Sequence, residues 1–391
     1  MSFNVVSAEP NVPRFERRLL CIDSNEGIAA ADLDGDGKTD LAAGRQWYRG
    51  GDWVARPLRS IADHNGYVQS NGDYLWDVNE DGHVDVIAGS FFLTEVSWYE
   101  NPGPEKLELG HQWQQHTLVD TGAGSNEGQL LTDVDGDGKP EWVVNSWKKD
   151  VPLAIWRLER KSNGQSPKPS PKARAAKGKP AVWTMVRHEL GPSGNGHGIG
   201  VGDISGDGLA DVLVGQGWYE QPAAGAWSGP WAFHPDWDLH ASLPMLVRDL
   251  DSDGDQDLVF GNGHDYGLQW WENQGADESG TLQWTARPID DGYSQPHTLA
   301  WGDVDNDGQD ELIAGKRVFA HNGRDPGGKE PPCLYYYDWD ASARTFHRRV
   351  IDEGMVGTGL QIVATDLNGD ARTDIAVAGK SGTFVLIAKP E

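Results

Sequence analysis

Seven copies of one acidic phrase run through the chain. They are DLDGDGKTD from Asp32, DVNEDGHVD from Asp77, DVDGDGKPE from Asp133, DISGDGLAD from Asp203, DLDSDGDQD from Asp249, DVDNDGQDE from Asp303 and DLNGDARTD from Asp366. Their first aspartates stand 45 to 70 residues apart, so the repeat is one supersecondary unit with connections of variable length. Each copy follows an apolar run (GIAAADL, GQLLTDV, HTLAWGDV) and precedes another (DLAAG, DVIAGS, DVLVG, ELIAG). Short apolar runs bounded by turn residues read as strands, so each phrase is the loop of a strand–loop–strand hairpin.

Two more strands complete each unit. The third carries an aromatic signature: WYRG at Trp47, WYEN at Trp98, IWRLE at Ile155, WYEQ at Trp218, WWEN at Trp270 and YYYD at Tyr335. The fourth ends in an aromatic-to-acid phrase such as WQQHTLVD from Trp113 or FHRRVID from Phe346. Seven units of four strands predict an all-β fold, a single seven-bladed β-propeller over residues 1–391. The last repeat stops at its third strand, TFVLIAK, and residues 14–23 (RFERRLLCID) supply a fourth-strand phrase at the other end of the chain. The expectation is that this N-terminal strand completes the last blade and closes the ring, leaving few exposed sheet edges.

Each phrase places side-chain oxygens at positions 1, 3, 5 and 9, with glycine at position 6 in six of the seven. A hard cation such as Ca²⁺ wants such an array, with a carbonyl from position 7 and a sharply bent backbone. The predicted ligands are Asp32, Asp34, Asp36 and Asp40; Asp77, Asn79, Asp81 and Asp85; Asp133, Asp135, Asp137 and Glu141; and Asp203, Ser205, Asp207 and Asp211. The remaining three loops offer Asp249, Asp251, Asp253 and Asp257; Asp303, Asp305, Asp307 and Glu311; and Asp366, Asn368, Asp370 and Asp374. Asn79 and Ser205 each replace an acid and Ala371 replaces the glycine, so those three loops should hold an ion less tightly. The expected role is structural, an ion stapling a hairpin whose carboxylates otherwise repel.

The formal charge of −27 follows from the same loops, whose positions 1, 3, 5 and 9 hold 25 of the 60 acids. Seven divalent ions would cancel about half of it. No basic stripe suits a phosphate backbone, and no stretch approaches a membrane span, so neither nucleic acid nor a bilayer is an expected partner. Residues 160–180 are rich in Lys, Pro, Ser and Gly and carry no acid, which predicts a flexible basic insert within the third blade. The first residues lack the apolar core of a secretory signal, whereas such loops suit the millimolar calcium of a periplasmic or secreted setting. The compartment and the oligomeric state stay open.

Blade topology separates two faces. First-to-second connections, the acidic loops, lie on one; blade-to-blade and second-to-third connections lie on the other. Six residues before each first aspartate, where an innermost strand begins, stand Glu26, Asn71, Glu127, His197, Leu243, His297 and Leu360. These positions should ring the central channel. Glu26, Glu127, His197 and His297 are the ligand types of Mn²⁺, Fe²⁺ or Zn²⁺, although the same residues would also cap strand ends or bond one another across a wet channel. On this second face fall His64, His240, His264 and His321 with Tyr67, Tyr266 and Tyr293, and the cations Arg45, Lys148, Lys149, Lys316, Arg317 and Lys380. Histidine and tyrosine can abstract a proton α to a carbonyl and protonate a leaving oxygen, and His64, His240, His264 and Tyr293 are the catalytic candidates. Arg45, Tyr67, Trp147, Lys148, Tyr266 and Lys316 are the candidate substrate contacts. His116, His188, His234 and His347 recur in fourth-strand phrases and read as structural.

The repeated DxDxDG between apolar strands resembles the FG-GAP repeats of integrin-α type and the related bacterial VCBS repeats, over nearly the whole chain. That resemblance implies the calcium-binding propeller but serves adhesion, glycan binding and catalysis alike. The WYEN-type phrases with polar entries to the first strand are similar to the propeller of fungal aldos-2-ulose dehydratases and, more distantly, to propeller-type polysaccharide lyases. The implied function is a carbohydrate-active carbon–oxygen lyase, a dehydratase or eliminase acting on an oxidised or anionic sugar or polysaccharide. The alternative is a non-catalytic propeller binding a glycan or a protein partner.

Overall fold

Among the described residues, seven sheets of four antiparallel strands form the blades, and one two-stranded ribbon pairs Asp63–His64 with Tyr67–Val68. The structure is a computed structural model that describes residues 13–64, 66–148, 151–161, 183–192, 194 and 196–389. Most of the basic insert (162–182), together with Lys149, lies outside the described residues. The repeating order is seen in blade 6, where Pro296–Gly302, Glu311–Lys316, Cys333–Asp340 and Thr345–Glu353 pair in sequence. Blade 7 is built from both ends of the chain. Ile362–Thr365, Asp374–Gly379 and Gly382–Lys389 are joined by Arg14–Cys21, which runs antiparallel to Gly382–Lys389 with Arg14 opposite Lys389. The described chain is thus an all-β, seven-bladed propeller whose only α-helix is one short turn, Pro104–Glu108.

The second strand of each blade is buried on both faces, because alternate residues enter the seams on either side. In Asp40–Ala43, Leu41 packs with Tyr48 and blade 7's Val385, while Ala42 packs with Trp47 and blade 2's Val86 and Tyr99. Every pair of neighbouring blades shares one such apolar cluster, around the full ring. Aromatic side chains of the third strands fill these wedge-shaped seams, each supplying a large apolar area at modest entropic cost.

The acidic loops share one hydrogen-bond design. The position-1 carboxylate accepts the N–H of position 6 in all seven, from Gly37 onto Asp32 (2.9 Å) to Ala371 onto Asp366 (2.8 Å). The buried position-9 carboxylate accepts the N–H of position 2, as Leu33 donates to Asp40 (2.8 Å) and Val304 to Glu311 (2.6 Å). In five blades its other oxygen accepts an N–H from the last residues of the third strand or just past it, for example Gly50 onto Asp40 (2.6 Å) and Asn101 onto Asp85 (2.7 Å). Position 9 therefore fastens the loop to its own sheet. Burial pushes these carboxyls up, to about 6 for Asp40, Asp211, Asp257 and Asp374, about 7 for Asp85 and Glu141, and about 8 for Glu311.

Candidate functional site

The entries to the innermost strands meet at the axis, on the face opposite the acidic loops. Glu26, Glu127, His197 and His297 are all buried there, as their ring positions predict. Leu243 and Leu360 complete the ring on its apolar side, packed in one cluster with Ile199. Asn71 turns its amide to the Asn126 carbonyl (3.0 Å).

Arg317 organises the centre. It follows Glu311–Lys316, donates its backbone N–H to Gln295 (2.9 Å) and bridges to Thr358 of the next blade. This docking turns its side chain into the axis. Nε and Nη2 donate to the two Glu26 oxygens (2.9 Å each), and Nη1 donates to Glu127 Oε1 and to His297 Nε2 (2.7 Å each). Lys380 adds a contact to Glu26 (3.2 Å), and Trp147 Nε1 donates to Glu127 Oε2 (2.8 Å). Burial opposes charge on both glutamates, yet Arg317 outweighs it and holds both carboxyls well below the usual range. Burial pushes the imidazoles the other way. His297 falls to about 3, and His197 and His264 also fall below the ordinary histidine value, so all three are neutral near pH 7.

The histidines form a cluster. His197 packs edge-on against His297 and His264 (centroids 4.7 and 4.5 Å apart) and against His240 (4.7 Å). His264 Nδ1 donates to Asp325 Oδ2 (2.9 Å), and His321, stacked on His264 at 4.4 Å, binds Asp325 through its own Nδ1 (3.1 Å). Beside the cluster opens a cavity of about 420 Å³. Glu26, Glu127 and Arg317 contribute charged groups to it, Tyr67, Phe91, Phe92 and Trp147 aromatic rings, and His321, Asn322 and Arg324 one wall. The Lys380 ammonium lies 4.3 Å from the Tyr67 ring centre.

The other sequence candidates are placed as follows. Tyr67 and Trp147 line the cavity, and His64 packs at a tilt against its Phe92, ring centres 4.1 Å apart. Lys148 is exposed beside Trp147. Tyr293, expected in a connection, ends a strand and is buried in the seam between blades 5 and 6 against Tyr335 and Tyr337. Lys316, expected at the rim, is buried and binds Ser294, because the strand continues through it. Arg45 pairs with Asp23 and Asp63 and lines a separate depression beside Arg56 and Arg59. Tyr266 donates to Glu330 (2.5 Å) away from the cavity. Glu26 is taken up by Arg317 and Lys380, and His264 takes its place in the donor cluster with Glu127, His197 and His297. Sequence reasoning missed Asp325, Phe91, Phe92 and Arg324. No repeat-based signal marks them, because they lie in connections that differ from blade to blade.

Residues 249–314 match the FG-GAP-like repeat family and residues 24–52 the FG-GAP repeat family. The chain is thus a seven-bladed β-propeller that carries FG-GAP repeats in these two stretches. The chain is similar in fold to chains from two crystal structures of BBS1N in complex with ARL6DN. The lead-soaked form gives 13% identity and a TM-score of 0.50, and the mercury-soaked form 12% and 0.44, each covering 98% of both chains. No curated protein matches in sequence. No helix among the described residues is long and apolar enough to cross a membrane.

Proposed function

We propose that the chain is a carbohydrate-active carbon–oxygen lyase working in the axial cavity on an oxidised or anionic sugar. The observation that carries this reading is the lining of that cavity: guanidinium groups of Arg317 and Arg324, aromatic faces of Tyr67 and Trp147, and an imidazole, His321, held by a carboxylate. Aromatic faces stack on sugar rings, and guanidinium forks bind carboxylates or developing enolates. Asp325 accepts from His321 Nδ1 and so leaves Nε2 as the base. Phe319, His321 and Asn322 are all left-handed (φ 54°, 46° and 60°), and such strain in non-glycine residues accompanies positioned functional groups.

In the proposed step, His321 Nε2 takes the proton α to the sugar carbonyl or carboxylate. The released pair forms the new C=C bond, the β carbon–oxygen bond breaks, and the Tyr67 hydroxyl protonates the departing oxygen. Arg324 stabilises the enolate-like charge, since Glu26 and Glu127 already take up the Arg317 fork. The acidic loops we read as structural calcium sites on the opposite face. Their donor sets fit a hard cation, since oxygens of Asp303, Asp305, Asp307 and Glu311 lie within 4.8 Å of one another, as do those of Asp32, Asp34 and Asp36.

Elimination creates a conjugated enone or unsaturated uronate, so absorbance in the ultraviolet should rise when the protein meets a keto-sugar or an anionic polysaccharide. His321→Asn and Tyr67→Phe should each slow that rise by about 10²- to 10⁴-fold with the melting temperature unchanged. Binding without turnover across a broad panel would replace the lyase with a glycan-binding module. Absence of any sugar binding would point to a protein partner.

A further inference from the structure

The four buried donors at the axis face one another in a way hydrogen bonding does not explain. A carbonyl can only accept, so the contact between His197 Nδ1 and the Ala241 carbonyl puts the His197 proton on Nδ1. The Asp325 carboxylate does the same for His264. A guanidinium can only donate, so the contact from Arg317 leaves His297 Nε2 bare as well. Three unprotonated Nε2 atoms therefore point into one space with Glu127. His197 Nε2 and His297 Nε2 stand 3.0 Å apart with no proton to share, and His264 Nε2, on a side chain only 9% exposed, has no hydrogen-bond partner.

The spacing is that of a coordination shell. Ligands about 2.1 Å from one ion stand about 3.0 Å apart at a right angle and about 3.4 Å apart at the tetrahedral angle. The observed separations are 3.0 Å between the two nitrogens, 3.4 Å from His297 Nε2 to Glu127 Oε1 and 3.8 Å from His197 Nε2 to Glu127 Oε2. One donor atom from each of Glu127, His197, His264 and His297 falls within a 4.8 Å set. The Ala241 carbonyl and Asp325 are outer partners of the kind that orient metal-binding imidazoles.

We propose that Glu127, His197, His264 and His297 bind one borderline divalent ion of the Zn²⁺, Mn²⁺ or Fe²⁺ class at the propeller axis, separate from the acidic loops. Imidazole-rich donor sets select such ions over Ca²⁺. On binding, Arg317 gives up His297 Nε2, whose single lone pair serves one partner, and keeps its two bonds to Glu26. Glu26 and Glu127 are balanced by Arg317 and Lys380, so the ion adds two positive charges beside the cavity and draws an anionic ligand there. The proposal deepens the reading of that cavity, but its readout is optical and does not need turnover.

The full-length protein is stripped with chelator, saturated with Ca²⁺ to fill the loops, and titrated with Co²⁺. The expected result is visible d–d absorption that saturates at one equivalent and is abolished by Zn²⁺. Asp303→Asn in an acidic loop should leave it unchanged. His264→Gln and His197→Ala should remove it, and Asp325→Asn should weaken Co²⁺ affinity by about 10- to 100-fold. Wild-type protein that stays colourless through several equivalents overturns the site. So does absorption that persists in both histidine variants with their melting curves intact. A lyase assay that fails while the cobalt band appears would remove the proposed reaction and keep the metal.

Discussion

Ala371 shows how one residue carries the record of a loop's geometry. Position 6 of the acidic phrase is left-handed in all seven copies, with φ from 63° at Ala371 to 100° at Gly254. Glycine adopts that conformation freely, whereas alanine is strained there. Ala371→Gly should therefore stabilise the protein by about 0.5–1 kcal/mol, and a calcium-saturated melt that fails to rise would refute the strain. Ala371 is exposed, so little packing is lost. Ala371 was legible because six sister loops define what its position requires. Arg317 was legible only as a cation on the correct face. Its inward turn depends on the bridge to Thr358, a contact between blades that no local pattern announces. Asp325 was wholly illegible, since its meaning comes from two histidines that the fold brings to it.

Among the elements, the acidic hairpin is the one whose chemistry reads directly from sequence, because its donors are all local. Structure adds a second duty for position 9, which fastens loop to sheet and, at Glu141 and Glu311, also stands among the clustered donor oxygens. That arrangement sets a pH response in ion-free protein. These carboxyls lie near 4 when unfolded and, by burial, at about 6 to 8 when folded. A raised folded value gives stability that is full below the unfolded value and lost as pH rises through the folded one. In excess chelator the melting temperature should climb by about 5 °C or more from pH 8 to pH 5. With Ca²⁺ the trend should vanish or reverse, because the ion needs the ionised form. A flat or falling chelator profile would show that position 9 is not desolvated. A second repeated device was half legible. His116 stacks on Trp98 and binds Glu100 (2.7 Å), and His234 does the same with Trp218 and Glu220 (2.7 Å). The aromatic third strand and the histidine of the fourth were read separately, but only the register across the strand pair joins them.

At the scale of the molecule, the ring is held by its last seam. Arg14–Cys21 covers the edge of Gly382–Lys389, Phe15 and Leu20 pack into the two flanking clusters, and Arg17 pairs with Asp352 of blade 6. Removing residues 1–21 should lower the melting temperature by on the order of 10 °C and make the protein self-associate, since a bare strand edge recruits other chains. Sedimentation identical to that of the intact protein, with an unchanged melt, would contradict this. Adding a peptide of residues 14–21 should reverse the self-association. The seam also has a consequence for biosynthesis. At about 5–20 residues per second a ribosome needs roughly 20–80 s to make such a chain, and the first strand has no partner in its own sheet until the end. Its charges, Arg14, Glu16, Arg17 and Arg18, keep a waiting strand from sticking to its neighbours on the polysome. Six blades can mature while translation continues, and the seventh closes only after Gly382–Lys389 has left the ribosome.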